Sequence, residues 1–323
     1  MKHTLISLLF LISTMTIVSQ ENEILLFPNG APGETTKLKQ DDDYAGNKVA
    51  GCQVMRVANV SEPTLIFYPA PADNNSGVTI IVNPGGGYNI LAYNLEGTEI
   101  CKRFNSYGIN CVLVKYRVPR REGLEKHEAP LQDLQRAIAY TRSHSKEWNI
   151  KPDKIGVLGF SAGAHLSAVA STNYNNRSYP RIDANDDVSL RPDFTVLIYP
   201  AYLSADNFSI SPELKVDKNT PPTILIQTQD DNSHIDSSIF YYYALKEAKV
   251  PATMHLYPSG GHGYGARNTG HTVNEWPHRV LSWLRDIKMI MDYVQFIFIN
   301  KKPGLSQAPG FSLQNTHKCN LSK

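Results

Sequence analysis

Unbalanced charge is what this sequence most plainly lacks. Its 32 Lys and Arg stand against 30 Asp and Glu in 323 residues, a net charge of +2, and only 19% of residues are charged. There is no basic stripe for nucleic acid and no polybasic arm for a membrane surface. Cysteine is also sparse: Cys52, Cys101, Cys111 and Cys319 show no C-x-x-C spacing, which removes a zinc knuckle or a thioredoxin-type site. The sequence does not assign a disulfide among them, and Cys101 and Cys111 fall in an expected helix and buried strand, where packing is their default role. No motif calls for a metal or an organic cofactor, no internal repeat is visible and no linker divides the chain. One apolar run, Leu5 to Val18, follows Lys2 and is too short to span a bilayer comfortably. It ends at Ser19 before a polar, acidic start, so residues 1–19 read as a signal peptide that sends the protein out of the cytoplasm, secreted or periplasmic, with no stable membrane association afterwards.

What the chain does have is 41% hydrophobic residues, enough for a large core. It also has a stretch around which everything else is arranged, Lys154 to Leu166. The run Ile155–Leu158 reads as a buried strand and Ala164–Ala170 as the start of a helix, with Gly159-Phe160-Ser161-Ala162-Gly163 between them. A sharp strand-to-helix turn strains its central residue, and a side chain at Gly159 or Gly163 would collide with neighbouring elements. Such a turn lifts the Ser161 hydroxyl out of the sheet at the positive end of a helix. A serine of ordinary pKa is a poor nucleophile, so the reading requires a histidine base and an acid that orients it.

Upstream, Thr64–Tyr68 and Val78–Val82 read as strands, and Asp73–Gly77 as a hairpin turn that would pair them antiparallel. Asn83-Pro84-Gly85-Gly86-Gly87-Tyr88 follows. Successive glycines leave backbone amides uncovered, and a sheet-end loop before a nucleophile is where acyl-transfer hydrolases place oxyanion donors. Gly86 and Gly87, with the Ala162 amide, are the expected donors. Helices are expected over Leu95–Tyr107, Pro130–Ser143, Ile235–Ala248 and from Trp276 to about Ile290, with strands at Cys111–Val114, Phe194–Tyr199, Thr223–Gln227 and Thr253–Leu256. Asp133 and Arg136 share a helix face and suggest a mutual salt bridge. Two polar insertions, Asn173–Arg191 and Ala201–Pro222, are expected over the same end of the sheet as Ser161. The alternation predicts an α/β fold with a mostly parallel central sheet and helices on both faces. It occupies one domain over 20–290, with 291–323 a disordered tail.

The acid belongs after the strand Thr223–Gln227, where Asp230 and Asp231 are both candidates. The base belongs after Thr253–Leu256, where His262 stands in Ser259-Gly260-Gly261-His262-Gly263-Tyr264-Gly265. His271 and His278 are its rivals, and His165 reads as a packed or rim residue.

With these loops placed, the chain resembles the secreted carbohydrate-esterase branch of the α/β-hydrolase superfamily, which groups acetyl xylan and feruloyl esterases. The matching residues are Pro84–Tyr88, Val114–Arg117, Ala129–Ala137, Gly159–Leu166 and Gly260–Gly265, and the likeness runs from about Leu25 to Ile287. The motifs are specific for the fold and triad, and weakly so for substrate. In related hydrolases a small residue opening the next helix lies eight positions beyond the acid. Ser238 stands eight after Asp230, so the resemblance selects Asp230 with Asp231 in reserve. The apolar residue and proline common in that loop are replaced here by Ser233, His234 and Ile235.

The resemblance implies a serine esterase that removes acyl groups, acetyl foremost, from plant or algal polysaccharide, with Tyr88, Tyr93, Tyr202 and Tyr264 near the pocket. Three other readings share the scaffold. A prolyl-oligopeptidase-like peptidase would need a β-propeller for which too few residues precede the fold. A short-chain lipase-like carboxylesterase would show a more apolar lid. A catalytically inactive binding module would not need Ser161, an aspartate and His262 together.

Overall fold

The computed structural model describes residues 23–43, 46 and 48–291. The signal peptide assigned to 1–19, the tail after 291 and Cys319 lie outside those residues. No described helix is long and apolar enough to cross a membrane.

Eight strands form the central sheet: β1 Ile24–Leu25, β2 Thr64–Tyr68, β3 Thr79–Asn83, β4 Asn110–Lys115, β5 Ile155–Phe160, β6 Thr195–Ile198, β7 Thr223–Thr228 and β8 Ala252–Tyr257. Their spatial order is β1-β2-β4-β3-β5-β6-β7-β8. From β4 onward every neighbouring pair is parallel, and only the β1-β2 and β2-β4 pairs are antiparallel. Strands β3, β4, β5, β6 and β7 are buried along their whole length, which explains why they read as continuous apolar runs without alternation.

Among the described residues five α-helices cover the sheet: α1 Glu99–Asn105, α2 Glu128–Ser143, α3 Ala162–Thr172, α4 Ile235–Glu247 and α5 Trp276–Asp286. Two successive residues of β5 show that both faces are covered, because adjacent side chains on a strand point to opposite faces. A Cβ at Gly159 would lie 2.5 Å from the Ser167 hydroxyl of α3. The Phe160 ring instead meets Trp276 of α5 at 5.8 Å. Trp276 in turn touches Phe104 of α1 at 5.9 Å, so α1 and α5 share the face away from α3.

The structure departs from three expectations. Strands β2 and β3 are not a hairpin pair, because β4 lies between them. The turn residues are tied to the approach of β4 instead: Asn110 Nδ2 donates to Asn75 Oδ1 at 2.8 Å and Ser76 Oγ donates to the Gly108 carbonyl at 2.7 Å.

Asp133 and Arg136 do not pair with each other. Asp133 is wholly buried against Arg117, which reaches it through Nε and Nη2 at 2.9 Å and through its backbone amide at 2.8 Å. Arg136 binds Asp183 and Asp186 at 2.6 and 2.8 Å. The first insertion supplies those partners, and this is why it does not lie over Ser161. It is strapped along α2 by Gln135, which accepts from the Ser178 amide at 2.8 Å, by Arg136, and by Arg142 Nη2, which donates to the Arg191 carbonyl at 2.9 Å. Breaking a buried pair such as Arg117–Asp133 on one side typically costs about 3–5 kcal/mol, so these arginines are structural.

Candidate active site

The turn from β5 into α3 has the strain its sequence implies. Ser161 sits at φ 51°, ψ −117°, a region that costs a non-glycine residue on the order of 1–3 kcal/mol and persists only where surroundings enforce it. They do: its amide donates to the Ile198 carbonyl at 3.1 Å, and its carbonyl accepts from His165 at 3.1 Å and Ala201 at 3.2 Å. A Cβ at Gly163 would lie 2.1 Å from the Asn83 carbonyl oxygen, so only glycine lets α3 approach β3 this closely.

His262 arrives on the loop after β8. Its Nε2 lies 2.8 Å from Ser161 Oγ, and its Nδ1 lies 2.7 Å from Asp231 Oδ2. Asp230, the carboxylate selected by the eight-residue offset, is not the partner of the imidazole. It points to the other side of the turn and accepts from the amides of Gly260 at 3.1 Å and Gly261 at 2.9 Å. Asp230 therefore shapes the histidine loop, while Asp231 faces the ring. The Gly261 amide foremost holds the Asp230 carboxyl below its ordinary value. Burial opposes charge on Asp231, but hydrogen bonds from His234 and His262 overcome it and keep that carboxyl well below the usual carboxylate range.

His234 is the residue whose part in this site the sequence left unread, noted only as a departure from the usual loop. Its Nδ1 lies 3.1 Å from Asp231 Oδ1, and its ring lies 4.5 Å from that of His262. Both oxygens of the buried carboxylate are thus taken by imidazoles. Asp231, His234 and His262 also form a cluster whose ligand atoms lie within 4.8 Å of one another. The hydrogen bonds among them account for that grouping without a metal. The rival histidines sit elsewhere: His271 Nδ1 lies 3.0 Å from Ser259 Oγ, and the His278 ring meets Tyr107.

His165 is buried, as expected of a packed residue, and sits between two polar groups. Tyr88 Oη donates to its Nδ1 at 2.8 Å and its Nε2 faces Glu213 Oε1 at 2.9 Å. Burial pushes its basicity down, so it is a neutral ring whose Nε2–H donates to Glu213.

The glycine loop folds tightly under the serine. Gly86 and Gly87 have φ of 135° and 65°, and the Gly86 carbonyl accepts from Asn89 at 3.1 Å and Ile90 at 3.2 Å. Among the described residues no protein acceptor takes the amides of Gly86, Gly87 or Ala162, the three expected donors. The Gly85 amide is occupied by Glu96 Oε2 at 2.7 Å. Of the four expected pocket tyrosines Tyr202 is half-buried and Tyr93 is 8% exposed, while the other two are enclosed. Tyr88 is 0% and Tyr264 2% exposed, the first fixed by His165 and the second set edge-on to Tyr199 at 4.5 Å. Tyr202 lies against His234 on one side, and Lys126 Nζ sits 4.2 Å from the centre of its ring. The second insertion carries Tyr202 and Glu213, so it does border the site, unlike the first.

A strained serine, an imidazole and a buried carboxylate at the carboxyl end of a mostly parallel sheet define a serine hydrolase scaffold. Residues 65–198 match the BD-FAE family model. The chain is 30% identical over 241 residues to an acetylxylan esterase of Xylanibacter ruminicola, covering 67% of this chain and 47% of that protein. It is 29% identical over 214 residues to endo-1,4-beta-xylanase B of Butyrivibrio fibrisolvens, covering 58% and 33%. The chain thus spans about half or less of the length of these curated relatives. The acetyl ester-xyloside bifunctional hydrolase of Caldicellulosiruptor lactoaceticus superposes with a TM-score of 0.67 at 32% identity, over 86% of this chain and 100% of that one. The chain belongs to the α/β-hydrolase superfamily. Within it the chain is similar to acetylxylan esterases and other carboxylic ester hydrolases.

Proposed function

We propose that the protein cleaves acyl esters, acetyl foremost, on plant or algal polysaccharide through a Ser161–His262–Asp231 triad. One observation carries this reading: Ser161 Oγ and Asp231 Oδ2 lie on opposite nitrogens of His262, at 2.8 and 2.7 Å. Ser161 Oγ attacks the ester carbonyl carbon while His262 Nε2 takes its proton. Asp231 holds the tautomer that leaves Nε2 free to accept, and offsets the charge of the imidazolium that forms. Amides of Gly86, Gly87 and Ala162 receive the developing oxyanion; one such donor is worth about 3 kcal/mol of barrier. Collapse of the tetrahedral intermediate expels the sugar oxygen, which takes the proton from Nε2. Water, deprotonated by the same nitrogen, then releases the carboxylic acid and restores the serine.

The polymeric substrate is favoured by the openness of the site. His262 is exposed and Ser161 half-buried. The half-buried Tyr202, with Lys126 Nζ 4.2 Å over its ring, borders the opening and offers a hydroxyl and an ammonium to a polar, hydroxylated substrate. The acetylxylan esterase and the bifunctional hydrolase named above support the same substrate class. Residues 1–19 make an exported protein part of the proposal, checked by whether the mature secreted chain begins at Gln20.

The deciding experiment pairs Ser161→Ala with product analysis. The variant should lose p-nitrophenyl acetate hydrolysis while unfolding at the wild-type temperature or above, since the strained position is unchanged in shape. NMR of an acetylated xylan panel should show free acetate from the wild type, with short peptides and long fatty esters left intact. Turnover by Ser161→Ala, or a preference for peptide or fatty ester, would overturn the reading.

A further inference from the structure

The mechanism leaves one buried acid without a role. Glu96 is 4% exposed and lies in a short π-helical turn, Asn94–Thr98, just ahead of α1. One such turn inside a helical run breaks the regular hydrogen-bond pattern, and turns of this kind frequently sit at functional sites.

Both carboxylate oxygens have partners. Oε2 accepts from the Gly85 amide at 2.7 Å, and Oε1 accepts from Tyr199 Oη at 2.7 Å. Tyr199 Oη in turn accepts from the Gly265 amide at 3.1 Å. Gly85 opens the glycine loop that carries the oxyanion donors, and Gly265 closes the loop that carries His262. The Tyr199 ring lies 4.8 Å from the His262 ring, so the same residue also backs the imidazole. Contact is close at both ends. A Cβ on Gly85 would lie 2.9 Å from Ser161 Cβ, and one on Gly265 would lie 2.6 Å from Leu95 Cδ1.

Burial raises the Glu96 carboxyl above its ordinary value, opposed by the Tyr199 and Gly85 hydrogen bonds and by His262. The partner set decides the state. The Gly85 amide can only donate, and the Tyr199 hydroxyl, already accepting from Gly265, donates to Glu96, so every assigned bond suits a carboxylate.

We propose that Glu96 is a positioning residue of this esterase. Its buried carboxylate ties the oxyanion loop, through Gly85, to the histidine loop, through Tyr199 and Gly265, and so fixes the distance between the oxyanion donors and the base. A glutamine at 96 keeps the shape but has one acceptor oxygen. With that oxygen on the Gly85 amide, its NH2 faces Tyr199 Oη and the buried hydroxyl proton loses its acceptor, so the link to the histidine loop is reversed and weakened. A phenylalanine at 199 keeps the ring against His262 and removes only the hydroxyl link. The proposal rests on the triad reading above.

The test measures kcat and KM for p-nitrophenyl acetate in Glu96→Gln, Tyr199→Phe and the double variant, beside Ser161→Ala. A misplacement of the reacting groups by about 1 Å can cost on the order of 100-fold. Glu96→Gln and Tyr199→Phe should therefore each lose about 10- to 100-fold in kcat, with KM within threefold of wild type. Because both act through one link, the double variant should be no slower than Glu96→Gln alone within about threefold. A folded Glu96→Gln with kcat within twofold of wild type, losses that multiply in the double variant, or changes confined to KM would each overturn the proposal. If Glu96→Gln does not fold, Tyr199→Phe decides alone, and full activity there overturns it. Turnover in Ser161→Ala would instead bring down the triad reading, which keeps the two failures distinct.

Discussion

Replacing Asp231 and Asp230 by asparagine, one at a time, separates two carboxylates that adjoin in sequence and do different work. In Asp231→Asn the buried oxygen 2.7 Å from His262 Nδ1 becomes an amide that can turn its NH2 toward the ring. Nδ1 would then accept, Nε2 would carry the proton, and Nε2 could no longer take one from Ser161. Loss of the correct tautomer is worth about 10⁴ in kcat, or about 5.4 kcal/mol of barrier at 1.36 kcal/mol per decade. In Asp230→Asn the exposed side chain retains one acceptor for the amides of Gly260 and Gly261. One such hydrogen bond is worth about 0.5–1.5 kcal/mol, so kcat should fall by about tenfold or less. Stopped-flow or steady-state hydrolysis of p-nitrophenyl acetate resolves a difference of three decades between the two variants. The reverse order, with Asp230→Asn inert and Asp231→Asn active, would refute the assignment of the acid.

Two further outcomes are expected. His234→Asn keeps a donor for Asp231 Oδ1, whereas His234→Leu leaves that oxygen buried without one; the first should stay within about fivefold of wild-type kcat and the second should lose about 10- to 100-fold, roughly 1.4–2.7 kcal/mol. Equal activity of the two would show that the second imidazole does not hold the carboxylate. For acid stability, burial depresses His165, so the unfolded chain takes up that proton first, and stability declines once pH falls below about 6.5, the ordinary histidine value. Glu213 is held down at about 2 by its hydrogen bond to His165, against an ordinary 4.5, so its contribution is complete above 4.5 and lost between there and about 2. Melting temperature against pH should therefore fall in two stages, with Glu213→Gln making the lower one, to which Asp230 and Asp231 also contribute, measurably shallower. An unchanged lower stage in that variant would refute the pairing.

Much of the fold was legible because buried parallel strands leave a compositional mark. The runs at 110–115, 155–160, 195–198 and 223–228 were each found within two residues, since burial on both faces demands apolar side chains whatever the neighbours. Ser161 and the glycines around it were legible for a steric reason: at Gly159 and Gly163 any Cβ meets backbone atoms at 2.1 Å, so the chain has no other residue to use. His262 followed because its loop is placed by the last parallel strand. What failed was pairing. Adjacent apolar runs with a polar turn between them look the same whether they form a hairpin or are separated by a third strand. Asp133 and Arg136 satisfy the spacing rule for a helix pair while each finds a stronger, more buried partner across the fold.

The acid shows the same limit at a finer scale. A count of residues from Ser238 back to Asp230 treats the turn after β7 as a ruler, yet the chain there turns on itself. The Asp231 amide reaches the Thr228 carbonyl, and the Ile235 amide closes on the Asp231 carbonyl at 3.0 Å. In so tight a turn neighbouring side chains leave in different directions, and a shift of one position exchanges the group under the imidazole for the group under the glycine loop. Local composition does not break that tie, because both candidates are aspartates. What breaks it is the donor set each carboxylate meets: backbone amides from Gly260 and Gly261 for one, two imidazoles for the other. Those donors come from 3 to 31 positions away. Glu96 was invisible for the same reason, since its partners Gly85 and Tyr199 lie 11 and 103 residues distant. The nucleophile could be read from its own neighbours in the chain because its constraint is steric and local. The acids could not, because a carboxylate is given its task by whatever donates to it.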